Sequence, residues 1–394
     1  TLEPPIGSGP YVVTRAEPGA LLELARDPDY WGRDLAVRRG LYNADTLRYE
    51  YYRDNNSLFE AFKKGLIDIL AESDPARWSQ NYDFPAVAEG RVKKEAFVTT
   101  LPKGMTGFVL NTRRPIFADV RVREALIRLY DFDWANKNLY FGLYERQKGY
   151  FDGSELSYFG HPADAREKAL LAPFPGAVRD DVAAGTWGPP VTDASGRDRA
   201  VLKGAFDLLR AAGWRIDGGK LVNAKTREPL SFEILVAVRE HERLAIAYQR
   251  TLAVLGIEAR IRTVDAAQYE MRRKTYDFDM TMWSWGASAS PGNEQINRWT
   301  ARAAATEGSL NLPGVASPAV DAVVDALIAS RSREDLVAAA RALDRLLVSG
   351  FYVVPLFHAP AQWVAHWTRI EHPSTMPKWG WTLPAWWVAD GGKE

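Results

Sequence analysis

The sequence predicts an α/β protein with two separate regions of alternating strands and helices. Two observations predict it: period-two apolar runs alternate with amphipathic helical stretches over 47–70 and again, more clearly, over 230–285. A third sets the scale, since 394 residues with 46% apolar side chains suffice for two or three domains with cores of their own. Lys plus Arg equals Asp plus Glu at 50 each, so no basic field draws the chain to nucleic acid or anionic lipid. No apolar run approaches the roughly 18 residues of a membrane span. The absence of cysteine removes disulfides, thiol catalysis and thiolate metal ligands.

Taken in order, Tyr11–Arg15 and Leu21–Arg26 read as strands joined by the turn-forming run from Glu17 to Ala20. Leu47–Arg53 is a third strand. Ser57–Lys64 follows as a helix with Leu58, Phe59, Ala61 and Phe62 on one face and Gly65 placed to close it. Leu66–Leu70 then reads as a buried strand, which makes a βαβ unit with a parallel pair. Arg77 and Trp78 are expected in a surface loop, with a ligand border as the alternative. Thr106–Asn111 is a strand stopped by Arg114 and Pro115, and Asp119 N-caps a helix whose inner face is Val122, Ala125, Leu126 and Leu129. From 143 to 200 glycine and proline recur over a stretch too long for a plain connection, which leaves a functional surface and a lobe-specific embellishment both open.

Order returns at Ala205–Ala212, a helix closed by Gly213. Leu230, Phe232 and Ile234 alternate as a strand; Arg243–Leu255 is a helix ended by Gly256; Ile257–Val264 is a strand; Asp265 caps a short helix; Phe278–Trp285 is the next strand. Three strands separated by helices imply a parallel α/β lobe. Ser317 and Pro318 open a further helix, Ser332 with Asp335 resembles a capping box opening another that Gly350 ends, and Val353–Phe357 is a short strand. Most of Trp363, Trp367, Trp379, Trp381, Trp386 and Trp387 are expected to pack the remaining lobe.

Residues 283–299, WSWGASASPGNEQINRW, stand at the carboxyl end of the last parallel strand, where open α/β sheets bind ligands. Trp283, Trp285 and Trp299 offer large apolar walls, and Ser288, Ser290, Asn293 and Glu294 offer hydrogen bonds, the mixture a ligand pocket needs. Ordinary core packing of the tryptophans around an ordinary turn is the competing reading. Catalytic patterns are not met. Gly213–Lys220 has the wrong glycine spacing for a phosphate loop, with Leu221 where a hydroxyl belongs. Gly286–Ser290 lacks the closing glycine of a nucleophile elbow. His358 and His366 are eight apart with no acidic residue at ligand spacing, so no metal site is expected. Asp277 and Asp279 share a strand face and motivate the outside alternative of a glycoside hydrolase.

At these residues the sequence resembles the extracytoplasmic solute-binding proteins of ABC importers, family 5, the dipeptide and oligopeptide class. SASPGNEQ at 288–295, with its flanking tryptophans, resembles the Yej-type branch associated with oligopeptides and microcin C. GSGPY at 7–11, YYRDNNSLFEAFKKGLIDIL at 51–70 and FVLNTRRPIFADVRVREALIRLYDFD at 108–133 resemble shared segments of the family, in the same order. The resemblance implies a two-lobed periplasmic-binding-protein fold of type II, cluster C-like, with mixed sheets flanked by helices and a ligand cleft closed by hinge motion. It divides the chain into a first lobe over 1–110, a second over 111–352 and a return to the first over 353–394. It further implies a soluble periplasmic protein without catalytic residues, cofactor or metal. Its partners would be a small peptide or peptide-like solute and an inner-membrane ABC permease with its ATPase subunits. Asn111 would lie near the hinge and His358 at the ligand.

Two departures qualify this expectation. Many oligopeptide-binding members carry an aspartate at the position of Ser288, where it meets the peptide's α-amino group. Either Glu294 replaces that charge or the ligand lacks a free amine, which keeps muropeptides, opines and glycans open. The family's counterpart of Pro5–Tyr11 also lies well inside its mature chains, so a fragment, or one piece of a two-chain assembly lacking an N-terminal segment, is expected.

Overall fold

The structure, a computed structural model, describes residues 6–389; Pro5 lies outside them. The chain separates into two compact units, one of residues up to Thr100 together with those from Pro360 on, the other Leu101–Ala359. No helix among the described residues is long and apolar enough to cross a membrane.

In the smaller unit Tyr11–Glu17, Leu21–Arg26 and Thr46–Glu50 form an antiparallel sheet in that order. A second sheet places Ala361–Trp367 between Ile69–Glu72 and Val92–Val98, antiparallel to both. The helix Asn55–Lys63 forms as expected, with Asp54 accepting from the Asn56 and Ser57 N–H groups at 2.9 Å. Gly65 ends it at φ 74°, against the Trp367 ring.

The expected parallel pair does not form, because the strands before and after this helix join different sheets. An apolar pattern says which face of a strand is buried; it does not say which distant strand will bond to it. Arg77 and Trp78 also depart from the surface loop. Asp74 and Pro75 open a helix, Pro75–Gln80, in which both are buried. Arg77 is satisfied by Glu72 at 3.3 Å, and Trp78 stacks on Trp363 with centroids 5.9 Å apart.

The larger unit is built on a five-stranded sheet in the order Glu258–Thr263, Ser231–Val236, Met280–Trp285, Met105–Leu110, Val353–Pro355. Its first three strands are parallel, with Arg239–Val254 and Ala266–Lys274 as crossovers, and Met105–Leu110 runs antiparallel to both of its neighbours. The divisions expected at 110/111 and 352/353 therefore differ from the observed ones at 100/101 and 359/360. Met105–Leu110 and Val353–Pro355 belong to one sheet, brought so close that a Cβ on Gly107 would meet the Val354 carbonyl at 2.3 Å.

The segment 214–223 is a hairpin, Trp214–Asp217 with Lys220–Asn223, turned by Gly218 and Gly219 at positive φ. The loop-rich 143–200 supplies core: Tyr150, Phe151, Leu156, Tyr158 and Trp187 are buried with the sheet's residues. It is tied to the helix Arg333–Ser349. Asp344 accepts from the Tyr150 and Tyr158 N–H groups at 2.7 and 3.2 Å, and Arg345 donates to Glu167 at 2.6 Å.

Candidate ligand-binding loop between Trp283 and Trp299

The strand Met280–Trp285 is buried on both faces at its start and reaches the surface at Ser284. There the Ser284 hydroxyl pairs with Thr106 of the neighbouring strand at 2.8 Å. The chain turns at Gly286 and re-enters order in the helix Glu294–Trp299. The three tryptophans part company here. Trp285 and Trp299 are 3% and 2% exposed, with centroids 5.0 Å apart. Trp285 donates its indole N–H to the Leu310 carbonyl at 3.0 Å, Trp299 donates to Gln295 at 2.8 Å, and Tyr150 packs edge-on against Trp299. Both pack as core beneath the loop, whereas the sequence reading expected them as ligand walls. Trp283 is half-buried, lies under the Arg273 guanidinium at 4.9 Å, and keeps a buried indole N–H without a partner among the described residues.

The loop backbone is held from outside. Arg298 donates to the Gly286 carbonyl at 2.7 Å, and Arg333 donates to the Ala289 carbonyl at 2.6 Å while pairing with Glu155. Gly104, at φ 71°, lets the Trp285 carbonyl approach to where a Cβ would sit, 2.2 Å away. With the main chain fixed in this way, the side chains of Ser288, Ser290 and Asn293 are exposed. Ser288 accepts from the Ser290 N–H at 3.3 Å, and Asn293 makes no capping bond to the helix it precedes. Glu294 is more occupied than expected: both carboxylate oxygens accept from the Gly292 N–H at 3.1 Å, and one accepts from the Gln295 amide at 3.0 Å. Burial raises its pKa, but these donors outweigh burial and hold it below the usual carboxylate range.

Asn111 and His358 are placed on other parts of the unit. Asn111 is 1% exposed, donates to the carbonyls of Tyr276 and Phe278, and accepts from Arg113. Its hydrogen bonds join the end of Met105–Leu110 to the strand after Tyr276, a structural task. His358 is half-buried in a two-residue ladder against Glu145, its Nδ1 directed at the Ala359 carbonyl at 3.2 Å. Burial lowers its pKa. Asp277 and Asp279 are arginine-bound: Arg114 pairs with both at 3.2 and 3.1 Å, and Arg272 with Asp277. Reasoning from sequence missed Thr106, Gly104, Arg298 and Arg333. The arginines act on backbone carbonyls, which leave no mark in a sequence pattern.

Residues 1–307 match the bacterial extracellular solute-binding proteins, family 5, middle region. The chain belongs to this family. A Brucella melitensis chain whose name says binding protein, without a ligand, is 55% identical over 98% of this family 5 chain and 63% of its own length. The Agrobacterium fabrum peptidoglycan-binding protein YepA is 44% identical, over 98% of this chain and 64% of its own. The chain thus spans a little under two thirds of the length of these relatives. Among solved structures, the Bacillus subtilis oligopeptide-binding protein AppA, in complex with a nonapeptide, has the same fold. Its TM-score is 0.63 at 18% identity, covering 98% of this chain and 67% of AppA.

Proposed function

We propose that this protein is the extracytoplasmic substrate-binding component of an ABC importer, capturing oligopeptides or peptide-derived compounds and passing them to a membrane permease. Family membership across residues 1–307 is the observation that carries the reading. The loop supports it. A backbone clamped by Arg298 and Arg333 presents Ser288, Ser290 and Asn293 without cost in loop order when a ligand arrives. Trp283 would supply the apolar contact, and Glu294 would contribute an acceptor already oriented by Gly292. His358 enters as a further candidate contact, its tautomer set by the Ala359 carbonyl.

Within peptide-derived compounds, fragments of peptidoglycan are favoured by two observations. YepA carries that ligand in its name, and a serine stands at 288 where a free α-amino group would call for a carboxylate. Native mass spectrometry of the gently purified full-length protein, before and after unfolding, tests the reading. Release of short peptides or muropeptides is expected, whereas a single non-peptide mass would overturn the substrate class. Ser288→Asp should then shift preference toward ligands with a free amine over their N-acetylated forms.

A further inference from the structure

In the smaller unit, strand pairing assembles a cluster that sequence spacing hides. Ala361–Trp367 pairs with Val92–Val98 so that His366 lies opposite Lys93 and Val364 opposite Glu95. His366 and Glu95 are therefore diagonal neighbours on one face. His372 arrives from the segment after Ile370–Glu371. Its Nε2 lies 2.8 Å from Glu95 Oε2, and the Nε2 of His366 lies 2.7 Å from the same oxygen. The three donor atoms lie within 4.8 Å of one another.

The other nitrogen of each ring decides what this cluster needs. His366 Nδ1 faces the carbonyls of Ile370 at 3.0 Å and Trp367 at 3.2 Å, and His372 Nδ1 faces the Pro373 carbonyl at 2.9 Å. A carbonyl only accepts, so both Nδ1 atoms carry hydrogen. In neutral rings both Nε2 lone pairs then point at a carboxylate oxygen, three acceptors converging with no donor among them. A cation at their centre resolves this, and backbone carbonyls holding Nδ1–H are the orienting contacts that metal-bound histidines characteristically have. The surroundings are dry on one side. Trp386 packs against His372 and His366 with centroids at 4.7 and 5.1 Å, and Phe97 stands edge-on to His372. The Trp386 indole N–H is itself buried without a partner among the described residues.

We propose that Glu95, His366 and His372 bind one divalent transition-metal ion of the zinc class, pinning the segment after Ile370 to the sheet. Two imidazoles and a carboxylate suit Zn²⁺, Co²⁺ or Ni²⁺ and disfavour the hard ions Mg²⁺ and Ca²⁺. Three protein ligands leave a fourth position for water. Donor-to-metal distances of about 2.1 Å set tetrahedral donors about 3.4 Å apart, so the carboxylate must withdraw by more than about half an ångström from its 2.7 and 2.8 Å contacts, and Glu95, a third exposed, has the freedom to do so. The site stands in the other unit from the loop at 286–294 and does not depend on the transport reading.

The test uses the full-length protein, stripped with a chelator and titrated with Zn²⁺ against a chromogenic competitor, with Co²⁺ absorption as a second readout. One equivalent and tetrahedral-type Co²⁺ bands are expected in the wild type. His372→Ala and Glu95→Gln should each weaken binding at least about 100-fold, since even indirect contacts of a metal site are worth about 10–100-fold. His366 is nearly fully buried, so His372→Ala, at a partly exposed position, carries the test, with unchanged circular dichroism as the control for folding. Absence of binding by the wild type would show that a proton alone occupies the cluster and overturn the proposal. Equal Zn²⁺ affinity of the wild type and His372→Ala would overturn it as well.

Discussion

Arg345→Met should destabilise the larger unit more than any surface change, because it strands a buried charge. Arg345 and Glu167 are both fully buried and meet at 2.6 Å. The same guanidinium donates to the carbonyls of His161, Val182 and Ala183, so one side chain of the helix Arg333–Ser349 fastens the whole 161–183 segment. With Arg345 gone, Glu167 keeps only a 3.3 Å bond from the Asp164 N–H, in a place from which water is excluded. Removing one partner of such a pair costs about 3–5 kcal/mol, far above the median of about 0–1 for exposed pairs. Arg345→Met combined with Glu167→Leu should recover much of the loss, since replacing both charges by apolar groups of similar size is often close to neutral. The unrecovered part belongs to the three carbonyls. Urea denaturation followed by near-ultraviolet circular dichroism gives the four corners of the double-mutant cycle. A single-variant loss below about 1 kcal/mol, or a double variant that shows the sum of the two singles, would refute the account.

Two further outcomes follow from the same unit. Burial pushes the Asp344 carboxyl up to about 8, aided by the charge of Asp152 and opposed by the Tyr150 N–H. The folded state then holds a proton that the unfolded chain releases, so this stability is present below the unfolded pKa and is lost as pH rises through 8. Between pH 7 and 9 the loss is about 1.4 kcal/mol. Urea midpoints across that range should fall more steeply in the wild type than in Asp344→Asn, and equal slopes would count against it. Gly104→Ala combines a left-handed backbone with a Cβ 2.2 Å from the Trp285 carbonyl, whereas Gly308→Ala meets only the backbone term of about 1–2 kcal/mol. Thermal unfolding should therefore rank Gly104→Ala well below Gly308→Ala, and equal losses would show that the loop's base yields to the methyl group.

The parallel strands around Phe232, Ile257 and Met280 were legible because apolar alternation and helix caps are local signals, and their partners are their neighbours in sequence. Where the partner is remote the signal ends. Ile69–Glu72 has the pattern of a strand, yet nothing near it announces Ala361–Trp367. The same limit separates the three tryptophans of the loop. Trp283, Trp285 and Trp299 are one residue type within seventeen positions. Only the packing of Tyr150 and the Leu310 carbonyl shows that two of them are core. The segment 143–200 was opaque for a related reason, since its order comes from Asp344 and Arg345, which lie far along the chain. Glu95 joined to His366 and His372 is a further instance, made visible only by the strand register and by the path of the segment after Ile370–Glu371.

These remote contacts also bear on how the loop acts. Its path is set by Arg298, Arg333 and the space at Gly104, all of which address main-chain atoms, so the residues that fix its shape are not those that face outward. Ser288, Ser290 and Asn293 can therefore change without unfolding what holds them. In such an arrangement a family can keep one frame while altering the groups offered to its solutes. Under the proposed function, the serine at 288 would be a change of ligand chemistry on an unchanged support, since its side chain bonds only to the Ser290 N–H within the loop.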